Sequence, residues 1–229
     1  MKKFELTNEF ITNMFGTKLF RIRALVEFGD VEAGELGGYV EKESNLGHDD
    51  NAWVYDNAWV YGDAQVSGDA LVYDNARVYG NARVYGDAQV SGDALVYGNA
   101  WVYGDAQVSG DARVYGNARV YGNAWVYGNA WVYGNAWVYG NALVCSDEDY
   151  AYAHGFGSVN RTTTFFRLKD GGVGVRCGCF YGTLAQFRDK IRETHGETKK
   201  AQEYLMLADL MELRFEEDEN EVGNRKYVE

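Results

Sequence analysis

From Asn51 to Ser146 the chain consists of sixteen consecutive six-residue units with no insertion. The unit is (Asn/Asp)-Ala-x-Val-(Tyr/Ser)-Gly, as in Asn99-Ala100-Trp101-Val102-Tyr103-Gly104, with alanine second and valine fourth in all sixteen. A fixed period of this kind decides the architecture before any other feature does. Alanine and valine stand two apart, so on an extended segment they point to one side, while x and the fifth residue point to the other. Glycine followed by Asn or Asp supplies a corner, because both tolerate positive φ. Each unit is thus a very short strand plus a turn, unable to bury its apolar side alone. Three units per turn enclose a triangular prism filled by valine and alanine, with coils stacked in parallel at about 4.8 Å. Sixteen units make roughly five coils, about 25 Å tall. Glycine every six residues excludes a helix, and the period fits neither propeller blades nor nonapeptide arrays. A right-handed solenoid has longer and less regular coils, so a left-handed parallel β-helix is expected.

The flanks differ in character. Residues 1–50 contain a short alternating strand at Leu19 to Val26, between Gly16 and Gly29, and are read as an N-terminal β cap, since an open solenoid end would template aggregation. Residues 147–229 are read as a C-terminal α+β module. Strands are expected at Thr162 to Leu168 and Val173 to Phe180, across the turn Lys169-Asp170-Gly171-Gly172. A helix is expected from the capping box Thr183-x-x-Gln186 to His195, stopped by Gly196, and a second over Thr198 to Phe215. The run Glu216 to Glu221 reads as a solvated acidic tail.

Composition narrows the function classes. The net charge is −12, shared equally as −4 in each of the three segments, which argues against a nucleic-acid binder held by phosphate contacts. No apolar run has the length of a membrane span, and Met1-Lys2-Lys3-Phe4-Glu5 lacks the core of a signal peptide. Three cysteines make no disulfide framework, so a reducing cytoplasm is expected. Proline is absent, as suits a chain of paired strands.

The hexads resemble those of the hexapeptide-repeat left-handed β-helix proteins. The entry segment Phe20-Arg21-Ile22-Arg23-Ala24-Leu25, through Phe28-Gly29-Asp30 to Gly37-Gly38-Tyr39-Val40-Glu41-Lys42-Glu43, resembles the start of a phage and prophage family of such proteins. Val175-Arg176-Cys177-Gly178-Cys179-Phe180-Tyr181-Gly182-Thr183-Leu184 is similar to a tail seen in phage-encoded proteins of unassigned role. The resemblance implies the fold and a host-cell cytoplasmic setting. It also raises acyl transfer, since most enzymes of this fold are acyltransferases with a histidine base.

The residues do not supply that chemistry. His48, His154 and His195 all lie outside the hexads, and no loop interrupts the array to build a site. Cys177 and Cys179 form Cys-x-Cys but lack two further ligands, so buried reduced thiols are the expectation, with no metal and no cofactor. The Asp residues of the hexads are accounted for by turn chemistry rather than calcium.

What stands out is the aromatic exterior. All six tryptophans occupy the outward x position and twelve of the sixteen fifth positions are tyrosine. Such residues anchor interfaces, and they also stabilise a ladder through same-face neighbours; both roles stay open. With eighteen residues per turn, one outer column holds Trp53, Leu71, Gln89, Gln107, Trp125 and Leu143. The second holds Trp59, Arg77, Leu95, Arg113 and Trp131, and the third Gln65, Arg83, Trp101, Arg119 and Trp137. Arginine alternates with tryptophan in the third, which is self-satisfied. The first has no charge and is the candidate protein interface, toward a second copy or a host protein. The expectation is a non-enzymatic binding or scaffold protein, with acyltransferase and carbohydrate-binding module as alternatives.

Overall fold

The computed structural model describes residues 2–157 and 161–216. The central array is a three-sided parallel β-solenoid. Its strands run from β4 (Trp53–Val54) to β19 (Leu143–Val144), two or three residues each. The three sheets take every third strand, in six rungs on the first face and five on the third. Register is that of an eighteen-residue coil: Gln89 lies beside Leu71 and Gln107, Leu95 beside Arg77 and Arg113, Trp101 beside Arg83 and Arg119.

The inside is apolar throughout. The alanines and valines of all the hexads, from Ala52 to Val144, are buried in one continuous core. Corners work as the turn chemistry requires. Glycines such as Gly104 (φ 69°) take the left-handed conformation, and Asp56 (φ 51°) and Asp74 (φ 58°) do so where glycine is missing. A Cβ on Gly104 would sit 3.1 Å from the backbone nitrogen of Gly122 in the next coil, so spacing as well as φ selects glycine there.

The ladder has a direction. Alanine and valine carbonyls face upstream, toward the N-terminus of the prism, and the N–H groups of x and of the fifth residue face downstream. Thus Trp59 N–H donates to the Ala76 carbonyl (2.9 Å) and Tyr61 N–H to that of Val78 (3.1 Å). At each end these groups need partners from outside the array.

Upstream, the carbonyls meet donors. Strands β1 (Phe4–Thr12), β2 (Lys18–Ala24) and β3 (Leu36–Val40) form an antiparallel meander, and β3 adds in parallel to the second face. Tyr39 N–H donates to Ala58 O (2.9 Å) and Glu41 N–H to Val60 O (3.1 Å). Gly38 lets β3 come this close, since a Cβ there would lie 2.7 Å from Ala58 O. On the third face the Asn45 amide donates to Ala64 O (2.8 Å) and Gly62 O (3.1 Å). On the first, the buried Lys3 ammonium donates to Ala52 O and Asp50 O, both at 2.8 Å. Burial lowers the Lys3 pKa from its usual value, against the opposing pull of Asp50.

Downstream, the N–H groups meet acceptors. Trp131 N–H donates to Asp147 Oδ1 (2.7 Å), Trp137 N–H to Thr164 Oγ1 (2.9 Å), and Cys145 and Ser146 N–H to Asp149 Oδ2 (2.9 and 3.0 Å). The Tyr150 hydroxyl donates to the Trp131 carbonyl (2.6 Å). Asp149 is buried and paired with Arg167 (3.2 Å).

The C-terminal module is a four-stranded antiparallel sheet, β20 (Tyr150–Phe156), β21 (Arg161–Arg167), β22 (Val173–Cys177) and β23 (Phe180–Thr183), followed by α1 (Leu184–His195) and α2 (Lys199–Phe215). Both helices match the expected spans, with Thr183 and Gln186 forming the capping box and Thr198 capping α2. The expected strand from Val173 to Phe180 is instead a hairpin. Cys177 pairs with Phe180, and Gly178 (φ 59°) makes the tight turn between them. Cys179 therefore lies exposed on the turn while Cys177 is buried, so the expectation of two buried thiols is met only at Cys177. Of the expected acidic tail, all but Glu216 lies outside the described residues.

Candidate protein-interaction face

The first column forms one face as the spacing predicts, with Trp53, Leu71, Gln89, Gln107, Trp125 and Leu143 on successive rungs. Two of its members depart from expectation. Trp53 is 0% exposed, the largest fully buried side chain among the described residues. The N-terminal meander folds over it, setting Phe4 and Phe28 edge-on to its indole at 6.2 and 5.3 Å. Trp53 is therefore a core residue of the cap and is unavailable to a partner. At the other end Trp125 is 41% exposed, but the Lys169 ammonium lies 3.9 Å from its ring centroid. Lys169 comes from the β21–β22 turn, held by its N–H on Asn141 O (2.9 Å). The column that is uncharged by composition thus receives a cation at its downstream end.

Between these ends lie Leu71, Gln89 and Gln107, all half-buried. The Tyr73 hydroxyl donates to Gln89 Oε1 (3.3 Å), and the neighbouring fifth positions are Ser91 and Ser109. The x and fifth positions of this stretch carry no charge, exposed Asp69, Asp87 and Asp105 stand at the corner beside them, and backbone ladders on both sides hold it in register.

The other two faces are ladders of stacked π-systems. On the second, Tyr61, Tyr79, Tyr97 and Tyr115 stack at 4.9 Å with planes within 4°. Tyr85 and Tyr103 do the same on the third, 4.9 Å apart. The ring spacing matches the strand spacing, so each ring rests on the next. Burial raises the pKa values of Tyr61, Tyr79, Tyr85 and Tyr115, and that of Tyr103 to about 12, with Tyr121 and Tyr85 adding to the effect at Tyr103. Guanidinium groups interleave with indoles: Arg119 lies 4.7 Å from the Trp101 ring and 4.8 Å from that of Trp137, and Arg77 lies 4.3 Å from Trp59. Most ring faces on these two sides are occupied by neighbouring rungs, with Trp131 at the last rung of the second face 39% exposed. A sugar-stacking platform would need free faces.

The remaining chemical groups are dispersed. His48 stacks on Phe4 (4.4 Å), His154 bonds Thr162 Oγ1 (2.9 Å), and His195 lies in the last turn of α1 against Tyr204. Among the described residues no three His, Cys, Asp or Glu side chains gather as a metal cluster. A shallow groove of about 210 Å³ in the C-terminal module is lined by Arg161, Cys177, Cys179, Phe187 and His195. No helix among the described residues is long and apolar enough to cross a membrane.

The coil geometry agrees with comparison to known families. The model described as the YdcK beta solenoid repeat matches residues 64–78, 76–90, 88–104, 106–122, 112–128, 118–134 and 124–140, all within the hexad array. This chain carries a repeat β-solenoid. No curated protein matches it.

Proposed function

We propose that the chain is a non-catalytic scaffold that binds a protein partner through the first face, centred on Leu71, Gln89 and Gln107 with Trp125 at its downstream edge. The observation that carries this reading is the half-buried stretch between the two caps, uncharged at its x and fifth positions and bordered by aspartates, beside two faces whose aromatic and cationic groups already satisfy one another. Interface cores are depleted in charge. A surface fixed by ladders on both sides loses little side-chain and backbone freedom on binding, which favours affinity. The resemblance of the entry and tail segments to phage and prophage proteins supports a host factor in the bacterial cytoplasm as the partner.

The experiment is capture from host lysate by the full chain, compared with Leu71→Glu/Trp125→Glu and with Trp101→Glu on the third face. Loss of one discrete captured protein in the first variant and its retention in the second is expected. Capture that survives the first variant, or fails only in the second, overturns the assignment. Acetyl-coenzyme A is expected to leave the melting temperature unchanged; a clear rise would favour acyl transfer instead.

A further inference from the structure

The eight aspartates of the hexad array are unevenly shared among its three corners. Asp69, Asp87 and Asp105 stand on successive rungs at the corner where the first face begins. Asp56, Asp74, Asp93 and Asp111 stand at the corner where it ends. All seven are exposed, and none has an ion pair among the described residues. The eighth, Asp63, lies at the corner opposite, between the second and third faces, and is paired with Lys42 (2.7 Å). That corner continues with Asn81, Asn99, Asn117 and Asn135. The arginines of the array, Arg77, Arg83, Arg113 and Arg119, all belong to the second and third faces. The first face is thus an uncharged strip between two acidic borders.

Turn chemistry does not explain this division, since Asn and Asp both serve such corners. Stability argues against it. Where asparagines stack, each amide donates to the next: Asn81 Nδ2 to Asn99 Oδ1 (3.0 Å), Asn99 to Asn117 (3.2 Å) and Asn117 to Asn135 (3.2 Å). Asp69, Asp87 and Asp105 instead set like charges on neighbouring rungs, about 4.8 Å apart, which is destabilising. A local rule broken in favour of charge is expected at a functional surface.

We infer that the partner of the first face is a basic protein segment laid along the prism axis, with uncharged side chains on Leu71, Gln89 and Gln107 and lysine or arginine on both flanks. The inference rests on the first face being the docking surface. Five residues along one rung, from Asp69 to Asp74, separate the two borders, so the strip is at most about 17 Å wide. An α-helix with its side chains measures about 10–12 Å, so a helix on the strip brings its basic flanks to both borders. Lys169 over Trp125 bounds the strip downstream. A metal ion is the other cation that aspartates take, but among the described residues no three His, Cys, Asp or Glu side chains gather to hold one.

The test is binding of the full chain, in EDTA, to two fluorescent peptides of about eighteen residues, long enough to hold a helix. Both carry a stripe of leucine and glutamine; one has lysine on both flanks and the other glutamate. Wild type is expected to bind the lysine peptide, more weakly as salt rises from about 20 to 300 mM, and not the glutamate peptide. Asp87→Asn/Asp93→Asn/Asp105→Asn/Asp111→Asn is expected to weaken binding about tenfold while raising the melting temperature by about 2 °C. Asn99→Asp/Asn117→Asp, at the opposite corner, is expected to lower the melting temperature and leave binding unchanged. Failure to bind the lysine peptide, equal binding of the glutamate peptide, or binding indifferent to the four aspartates overturns the inference. So does a fourfold variant that melts lower than wild type. A melting rise with calcium in the absence of EDTA, lost in the fourfold variant, would make the borders a metal site and overturns it as well. Capture from lysate separates the inference from the reading it rests on. Loss of the captured protein in both Leu71→Glu/Trp125→Glu and the fourfold variant is expected. Loss in the first alone leaves the face in place and overturns the basic partner; loss in neither overturns the face and the inference together.

Discussion

The two ends of the prism solve the same problem with opposite chemistry. Upstream, where strand carbonyls are exposed, the partners are an ammonium, an amide and the N–H groups of an added parallel strand: Lys3, Asn45 and β3. Downstream, where N–H groups are exposed, they are two carboxylates and a hydroxyl: Asp147, Asp149 and Thr164. A parallel ladder has a direction, so its ends cannot be interchanged, and each cap must be written for the end it closes. The N-terminal meander continues the sheet, whereas the C-terminal sheet meets the last coil through side chains and a single antiparallel bridge, Ala142 to Leu168. The upstream end is an extension and the downstream end a junction.

The largest expected effect lies between the ends. Val102→Asp puts an unpaired charge into the continuous core and is expected to cost more than about 4 kcal/mol, while Trp101→Ala, one residue away on the outside, costs about 1 kcal/mol in lost stacking. Equal losses in urea unfolding would show that the interior is no drier than the surface and would remove the reason for capping at all.

Next come the caps. Asp149→Leu strands two N–H groups and removes the carboxylate paired with Arg167, at about 3 kcal/mol. Asn45→Leu strands two carbonyls without leaving a charge behind, at about 2 kcal/mol. Hydrogen exchange should show the first loss beginning at Cys145 and Ser146, where the last rung of the first face ends, and the second in the rung of Ala64 and Val66. Fraying from the same end in both variants would break the comparison. Thr164→Val removes one acceptor, that of the Trp137 N–H, for about 1 kcal/mol, and sharpens the downstream map to a single rung.

The smallest effect at neutral pH belongs to Tyr103→Phe, and it grows with alkalinity. The folded-state pKa of Tyr103 is raised to about 12 by burial and by Tyr121 and Tyr85. The unfolded chain therefore releases the phenolic proton first, and stability present below about pH 10 is lost as pH rises through the folded value. Wild type should destabilise steeply between about pH 10 and 12, and the phenylalanine variant less steeply. Identical pH profiles would mean that the rung stack does not shield the hydroxyl.

The period of six carried the fold plainly. Inward Ala and Val, the eighteen-residue coil and the three columns all follow from residues repeated without interruption, because each rung contacts only copies of itself. Features set by unlike partners were not legible. Trp53 repeats the pattern of Trp101 yet is buried, since Phe4 and Phe28 approach from segments with no periodic signal. Lys169 reaches Trp125 across a turn that marks only its own hairpin. Strands β1, β20 and β23 lie at sheet ends and β3 where the meander joins the solenoid, all with weak alternation, and Gly178 turns what reads as one strand into two. For the candidate face, the column membership was visible and its accessible length was not.

One consequence of the register concerns rotation. Three hexads make one revolution, so sixteen close five revolutions and one third more. The position of the C-terminal module around the prism is therefore set by the repeat number modulo three. Removing eighteen residues from the middle shortens the barrel and keeps Lys169 above the same side. Removing six swings the module through a third of a circle, onto a flank that ends in different residues. Repeat number acts as an angular index as well as a length, and the relative bearing of the two ends can change in discrete steps without a single altered contact inside.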